Sequence, residues 1–375
     1  MVMPAAALQT SVQSQSKPAV APRLSSLDAF RGWTMFWIVG GHALMLGFQP
    51  LGHNPVIDTV VYQLDHTPWQ GLRYYDLIWP SFMLMTGMSV SFSYAKRSVT
   101  QSYGEMLTDV LRRVLVLLLL GSIRESVHLN HPYFVELSSA LQPIAIAYLV
   151  AFLLVRRSWR FQATVGASIL IGYALLLAFV PAPGVPAGSY DRGANLVAAV
   201  DIAVLGRTHP EGWGTILSTI PTIATTILGS LLGTLLMSER SSRNKAAIIG
   251  LIGVSGVILG IALNPVVPIV MKLWTTSYGI ASAGWACLLF LAFYFTIDLL
   301  GYRKWAFPFV VIGVNALAIY MAGTLIPLSR ILGIYTVGIA SRIGAFGLLF
   351  QAVTVLACEW LILYWMYRRK IFLTA

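Results

Sequence analysis

The sequence predicts an all-α, polytopic bundle of transmembrane helices, and its composition is the first observation behind this prediction. Hydrophobic residues make up 57% of the 375 residues, charged residues make up 10%, and the mean hydropathy is +0.75. A soluble globular domain carries about 25% charged residues. The composition therefore excludes an ordinary soluble domain and indicates a protein that crosses a membrane several times.

The second observation is the spacing of the apolar runs. A helix needs about 20 predominantly apolar residues to cross the hydrocarbon core of a bilayer. Ten such runs predict ten spans, at residues 29–48, 76–95, 107–125, 138–155, 162–181, 215–237, 246–264, 277–298, 306–326 and 344–367. They form one predicted transmembrane domain over residues 23–375. The preceding residues 1–22, rich in Ala, Gln, Ser and Pro, are predicted to be a disordered cytoplasmic tail.

The third observation is the distribution of basic residues. If the N-terminus is cytoplasmic, eighteen of the 25 Lys and Arg residues fall on the cytoplasmic side. The other seven fall outside, and they are Arg73, Arg124, Arg192, Arg207, Lys272, Arg330 and Arg342. The positive-inside rule and an even number of spans then place both termini in the cytoplasm. Because this bias accounts for the net charge of +11, we expect membrane lipid and no nucleic acid as a partner.

The sequence contains no pattern typical of a metal site, a disulfide framework or a phosphate-binding loop. Its only two cysteines, Cys287 and Cys358, fall within predicted spans. We therefore expect no metal cofactor. The longest predicted exterior loop, residues 182–214, is rich in Pro and Gly, and we expect it to cover or shape an outer pocket.

The first candidate segment for chemistry lies at the cytoplasmic entrance of the first span. Asp28 and Arg31 lie there, and His42 follows eleven residues after Arg31, a rise of about 16 Å along a helix. His42 is therefore predicted to lie well inside the membrane, where polar groups usually face a bundle interior or a wet cavity. Arg31 is either a snorkelling anchor with Asp28 as its partner or a functional cation. His42 is either a functional group or a hydrogen-bonded structural one.

The second candidate segment reads HTPWQGLRYYDLIWPSF, from His66 to Phe82. A histidine has its unperturbed pKa near neutrality, and a carboxylate ten residues later, Asp76, would orient it or hold its proton. Pro80 is expected to interrupt the helix, so that bent backbone presents His66 over a cavity. The structural alternatives are Asp76 as a charge at a helix N-terminus and Trp69 as part of an interfacial aromatic belt.

The third candidate segment reads KLWTTSY from Lys272 and precedes the eighth span, and Asn315 lies inside the ninth. On physical grounds alone the structural alternatives lead here. Lys272 and Trp274 would anchor a helix end, and Asn315 would make an interhelical hydrogen bond worth about 1 kcal/mol. Under the functional interpretation, these residues and Ser277 contact a substrate or a reacting oxygen.

Four stretches, taken together, resemble the heparan-alpha-glucosaminide N-acetyltransferase family. They are RLSSLDAFRG from Arg23, the His66–Phe82 segment, KLWTTSY from Lys272, and IGVNAL around Asn315, in the family's order. The resemblance covers almost the whole chain from Arg23. It implies a membrane acyltransferase that uses cytoplasmic acetyl-CoA to acetylate a glycan amine, such as an amino sugar, on the opposite side. It also implies that His66 is the catalytic histidine.

The resemblance suggests a role for each candidate residue. His66 would act as general base or acyl carrier, and Asp76 would fix its tautomer. His42 is the alternative base, because its spacing from Arg31 is shared with the broader acyltransferase-3 family. Asn315 or Ser277 would donate a hydrogen bond to the oxyanion. The expected CoA-binding set is Asp28, Arg31, Arg112 and Arg113, and the expected acceptor-binding set is Trp69, Lys272, Trp274 and Ser277.

Some features depart from the family's pattern and leave alternatives open. The chain reads Leu141-Gln142-Pro143 where relatives read Leu-Gln-Arg, which removes a possible contact to CoA. It has no counterpart of the lumenal N-terminal domain of the lysosomal enzymes, so we expect a prokaryotic protein of the inner, or plasma, membrane. A homodimer is compatible with the family. The rival functions are an O-acyltransferase of envelope polysaccharide or lipid and a transporter of a sugar or lipid precursor.

Overall fold

The computed structural model describes residues 24–132, 137 and 139–373 of the chain. Arg23 and the predicted disordered tail, residues 1–22, lie outside these ranges. Within them the chain forms fourteen α-helices and one two-stranded antiparallel hairpin. The prediction of an all-α bundle is therefore confirmed.

The helices follow one another along the chain with short connections. In chain order they are α1 Ser25–Phe48, α2 Pro55–Leu64, α3 Ile78–Arg97, α4 Tyr103–His128, α5 Leu141–Leu154, α6 Trp159–Phe179, α7 Leu196–Leu205, α8 Ile216–Met237, α9 Ser242–Leu263, α10 Thr276–Phe293, α11 Phe307–Val314, α12 Ala316–Leu325, α13 Leu328–Arg342 and α14 Gly347–Arg368. The hairpin strands are β1 Tyr190–Asp191 and β2 Ala194–Asn195. A π-helical turn, Tyr294–Leu299, continues α10.

Each predicted span coincides with a helix, and the ninth coincides with a pair. In the described part of the chain, five helices are long and apolar enough to cross a membrane: α6, α8, α9, α10 with its π-turn, and α14 with the turn before it. The pair α11 and α12 makes a sixth if it counts as one span, although it bends by 64° at Asn315. The count of about ten spans and the cytoplasmic position of both termini stay predictions.

Glycines allow α3 and α8 to touch backbone to backbone. A Cβ atom at Gly87 of α3 would lie 1.9 Å from the carbonyl oxygen of Thr226 in α8, and one at Gly229 would lie 2.0 Å from that of Leu84. Ser91 and Ser230 add a buried hydroxyl contact of 2.9 Å. Small residues permit such close crossings in membrane proteins. This contact fixes α3, which carries the candidate site at its N-terminal end.

The break between α11 and α12 is stabilised by the C-terminal end of the chain. Asn315 is fully buried at the break. Its side-chain NH2 donates to the carbonyl oxygen of Ile371 at 3.0 Å, and its side-chain oxygen accepts from the backbone N–H of Leu373 at 3.0 Å. The segment after α14 therefore folds back under the break.

Candidate active site

The candidate site is built around the Asp76 carboxylate, in a 3-10 turn, Tyr74–Leu77, directly before α3. Its Oδ1 lies 2.8 Å from Nδ1 of His66. Its Oδ2 accepts hydrogen bonds from the hydroxyl of Thr67 at 2.6 Å and from the backbone N–H of Arg73 at 2.9 Å.

Pro80 does not interrupt α3, contrary to the sequence prediction. It occupies the first turn of the helix, where a backbone N–H would have no intrahelical hydrogen-bond partner.

The surroundings of Asp76 decide the charge and the tautomer of the pair. Burial alone would raise the pKa of Asp76, but the hydrogen bonds from His66, Thr67 and the Arg73 backbone outweigh it and hold that pKa below its ordinary value. At neutral pH Asp76 is therefore a carboxylate, which can only accept hydrogen bonds. The proton between the two side chains then lies on Nδ1 of His66, and Nε2 is the basic nitrogen.

Neighbouring groups fix the position of this pair. The His66 ring contacts the rings of Tyr75 and Trp213, with centroid distances of 4.7 and 5.7 Å. The Tyr278 hydroxyl donates to the backbone carbonyl of Asp76 at 2.7 Å. Such contacts restrict the histidine to one rotamer, as an acid–base group requires.

His66 opens into a cavity of about 530 Å³ inside the bundle. The cavity has a His66 end, lined by His66, Glu125, His128, His209, Glu211 and Trp213, and an Arg31 end, lined by Arg31, Ser89, Ser93, Arg113 and Leu373. Along α3 its lining extends from Trp79 to Ser93, which corresponds to about 21 Å of helix. The cavity is therefore long enough to hold an extended ligand.

The Arg31 end carries two cationic side chains. Arg31 donates to the Ser89 hydroxyl at 2.8 Å and pairs with Asp28 at 3.3 Å. The guanidinium of Arg113 lies over the Tyr148 ring at 4.7 Å, and its Nε is buried without a hydrogen-bond partner among the described residues. This end is therefore suited to an anionic group.

A second polar cluster, which was not predicted from the sequence, lies at the His66 end. Glu125 and His209 are both buried, with Oε1 and Nε2 separated by 3.3 Å. Arg124 lies beside them, and its guanidinium is stacked over the Tyr320 ring at 4.2 Å. The available signals were an Arg-Glu pair at the end of the third predicted span and His209-Pro-Glu211 in the predicted exterior loop. Residues of that loop line the cavity, and its position on the exterior side stays a prediction.

Two of the predicted residues lie away from the cavity. Gly41 packs against the Tyr75 ring, and His42, one residue on, is turned to the exposed side of α1. His42 therefore does not face a bundle interior, contrary to the sequence prediction, because successive helical residues are rotated by about 100°. Arg112 is likewise exposed on α4, whereas its neighbour Arg113 lines the cavity. The roles suggested for His42 and Arg112 stay predictions.

The residues expected to bind the acceptor support the wall of the site. Ser277 is buried and donates to the carbonyl oxygen of Pro268 at 3.0 Å. Trp274 is buried in a left-handed conformation, and its ring packs edge-on against that of Trp79 at 5.0 Å. Neither Ser277 nor Trp274 lines the cavity, so their contact with an acceptor stays a prediction.

Lys272 and Trp69 hold the loops around the cavity. The Lys272 ammonium donates to the backbone carbonyl of Glu211 at 2.7 Å, and the indole N–H of Trp69 donates to the carbonyl of Tyr190 at 2.8 Å. Asn315 binds the C-terminal segment, so both ends of its amide are engaged away from His66. Its oxyanion role and the substrate-binding roles of Lys272 and Trp69 stay predictions.

The described residues contain no group of three or more His, Cys, Asp or Glu side chains placed to hold a metal ion. A histidine with a basic Nε2, a carboxylate behind it and a deep cavity in front of it can take a proton from a bound ligand.

Apolar helices and a histidine–carboxylate pair facing a deep cavity define a membrane-embedded protein with a candidate acid–base site. A family model described as "Heparan-alpha-glucosaminide N-acetyltransferase, catalytic" matches residues 23–254, well over half of the chain. The chain belongs to this family of membrane acetyltransferases, which confirms the resemblance noted in the sequence.

A curated relative agrees with this assignment. The chain is similar to a mouse protein named heparan-alpha-glucosaminide N-acetyltransferase, with 23% identity over an alignment 388 positions long. The alignment covers 84% of this chain and 55% of the mouse protein, so the chain spans about half the length of the curated relative that it matches.

Proposed function

We propose that this protein transfers an acetyl group from acetyl-CoA to the amine of an amino sugar or related glycan. The observation that carries the proposal is the Nδ1–Oδ1 contact of 2.8 Å between His66 and Asp76, beside a cavity of about 530 Å³. This contact leaves Nε2 of His66 as a base for the acceptor amine. Membership of the acetyltransferase family supports the same reaction class.

The proposed reaction needs one base and no metal. The acceptor amine attacks the thioester carbonyl, a C–N bond forms, and Nε2 of His66 accepts the amine proton. The C–S bond then breaks, and His66 returns the proton to the leaving CoA thiolate. The negative charge of Asp76 stabilises the imidazolium between these steps. In the covalent alternative, His66 itself carries the acetyl group between donor and acceptor.

The donor would enter the cavity from the Arg31 end. CoA carries several phosphate charges, and Arg31 and Arg113 are the cations that line this end. The pantetheine arm would then extend along α3 toward His66, over the distance of about 21 Å between Ser93 and Trp79. In this proposal the protein lies in the plasma membrane with both termini in the cytoplasm. The Arg31 end of the cavity would then face cytoplasmic CoA, and the His66 end would face the exterior of the cell. The oligomeric state, including a homodimer, stays a prediction.

The test is product analysis with protein purified into lipid nanodiscs. We expect acetyl-CoA and glucosamine to yield CoA thiol and N-acetylglucosamine in equal amounts, detected by mass spectrometry. N-acetylglucosamine, whose nitrogen is blocked, should give no acetylated product. If the blocked sugar is acetylated as fast as glucosamine, the acceptor atom is an oxygen and N-acetyl transfer is wrong. If neither consumes acetyl-CoA, acyl transfer to these acceptors is wrong, and a transporter becomes the better account.

A further inference from the structure

The cavity contains a second histidine–carboxylate pair, Glu125 and His209, which the proposed reaction does not use. Glu125 lies near the C-terminal end of α4, and His209 lies in the loop after α7. Both are buried, line the same cavity as His66, and approach each other to 3.3 Å. Burying two titratable groups beside a ligand cavity is costly unless each is paired. This pairing accounts for the burial of Glu125 and His209 but leaves open their role at the cavity.

Both ring nitrogens of His209 are engaged, so it is not a second free base. Its Nδ1 accepts the backbone N–H of Glu211 at 3.2 Å, which places the ring proton on Nε2. Nε2 then donates to Oε1 of Glu125. His209 therefore holds the Glu125 carboxylate in one orientation.

The second carboxylate oxygen of Glu125 is the group left for a ligand. Oε2 lies 3.7 Å from Nη1 of Arg124, which is an ion-pair distance rather than a hydrogen bond. Among the described residues, no hydrogen bond reaches Oε2 at the cavity. A carboxylate flanked by a guanidinium presents an acceptor and several donors side by side. Vicinal hydroxyl groups of a sugar match this arrangement.

The loop that carries His209 also connects this cluster to the reaction site. Trp213, four residues after His209, packs edge-on against the His66 ring, and its indole N–H donates to Glu211 at 2.9 Å. The same loop therefore brings His209 into contact with Glu125 and Trp213 into contact with His66. A ligand that reaches both Glu125 and His66 would present one polar group to Glu125 and another to His66.

We infer that Glu125, positioned by His209, binds the hydroxyl groups of the acceptor sugar while the sugar amine faces His66. The inference rests on the proposed function and makes it more specific, because it assigns acceptor selection to a carboxylate that does not take part in proton transfer. The selected class is an amine whose ring bears hydroxyl groups. An amine without them makes no hydrogen bond to Oε2 of Glu125.

The test compares glucosamine with cyclohexylamine, which has a ring and an amine but no hydroxyl groups. We expect Glu125→Gln to raise the KM for glucosamine by about 10- to 100-fold, the usual effect of losing a hydrogen bond to a charged group. The KM for acetyl-CoA and the rate with cyclohexylamine should stay within about threefold of wild type, since neither involves the hydroxyl groups. His209→Gln should reduce the preference for glucosamine over cyclohexylamine, because Glu125 is then no longer held in one orientation.

Glu359→Gln is the matched control. Glu359 is a buried carboxyl on α14 that lines a separate apolar cavity of about 370 Å³, so its replacement should leave the preference for glucosamine unchanged. Melting curves check that each variant is folded. If Glu125→Gln does not fold, the inference is tested by the two amine rates of His209→Gln instead. If Glu125→Gln slows both amines equally, or neither, the inference is wrong while the acyltransferase stands. If wild type releases no thiol with either amine, the proposed function itself has failed.

Discussion

Replacing Asp76 with asparagine tests the pairing at the centre of the site, because the exchange keeps the shape of the side chain and removes its charge. If the new NH2 faces His66, Nδ1 must accept its hydrogen bond, the ring proton moves to Nε2, and the base is lost. If the NH2 faces the other way, it meets the N–H that Arg73 now donates to Oδ2 at 2.9 Å. Either orientation breaks part of the arrangement.

These contacts determine the expected loss of turnover and of folding free energy. A wrong histidine tautomer lowers turnover by about 10³- to 10⁴-fold in comparable histidine–aspartate pairs, which corresponds to about 4 to 5.5 kcal/mol of activation free energy. The free energy of unfolding should fall by about 2 to 4 kcal/mol, because Asp76 is fully buried and its charge strengthens each hydrogen bond. The KM for acetyl-CoA should change little, since the proposed site for the CoA phosphates lies at the other end of the cavity.

The assay is steady-state thiol release from acetyl-CoA in nanodiscs, together with a thermal melt. The chain offers a matched control in the exposed pair of His53 and Asp58, which lie 3.2 Å apart with 55% of the Asp58 side chain exposed. Asp58→Asn should leave turnover and melting unchanged. Turnover of Asp76→Asn within tenfold of wild type would refute the reasoning and reduce Asp76 to a cap of the turn before α3.

The same pair predicts a dependence of stability on pH. The pKa of Asp76 is lowered in the folded protein, so the unfolded chain binds the proton first as the pH falls. The stabilisation by its charge is therefore complete above the ordinary aspartate value of 3.8 and is lost as the pH falls through the lower folded pKa. The difference in melting temperature between wild type and Asp76→Asn should be full at pH 7 and should shrink at strongly acid pH. A constant difference would mean that the charge does not contribute.

Three further variants test the base, the C-terminal segment and the helix packing. His66→Ala should abolish transfer and lower the free energy of unfolding by about 1 to 3 kcal/mol, since buried Asp76 loses a partner; measurable acetyl transfer would exclude His66 as the base. Asn315→Ala should release the C-terminal segment and speed its digestion by carboxypeptidase, whereas wild-type digestion rates would show that these hydrogen bonds do not hold it. Gly229→Ala should lower the free energy of unfolding by about 3 kcal/mol through its clash with α3, while Gly172→Ala, with open space around it, should be neutral or stabilising; equal melting temperatures would contradict the packing.

The long helices were predictable from the sequence because twenty apolar residues in a row have few alternatives in a membrane protein. The helices α2, α7 and α13 were not predicted. They are 10, 10 and 15 residues long, shorter than the stretch that a hydropathy argument detects. The 64° break at Asn315 also escaped prediction, because the backbone groups that bind the Asn315 side chain lie 56 and 58 positions later in the chain.

Part of the candidate site was likewise predictable from the sequence, and part was not. His66 and Asp76 lie ten residues apart in one segment, so the sequence alone pairs them. Glu125 and His209 lie 84 residues apart, and nothing local links them before the chain is folded. His42 shows the converse error, because its depth in the membrane was argued from helix rise, whereas the direction of its side chain depends on which face of α1 packs against Tyr75.

Acetyl transfer through His66 is best tested by thiol release from acetyl-CoA by the purified protein in lipid nanodiscs, with and without glucosamine, for wild type and His66→Ala side by side. We predict release that depends on glucosamine in the wild type and is absent in a folded His66→Ala protein. Equal release by both proteins, or release by neither, would contradict an acetyl transfer that proceeds through His66.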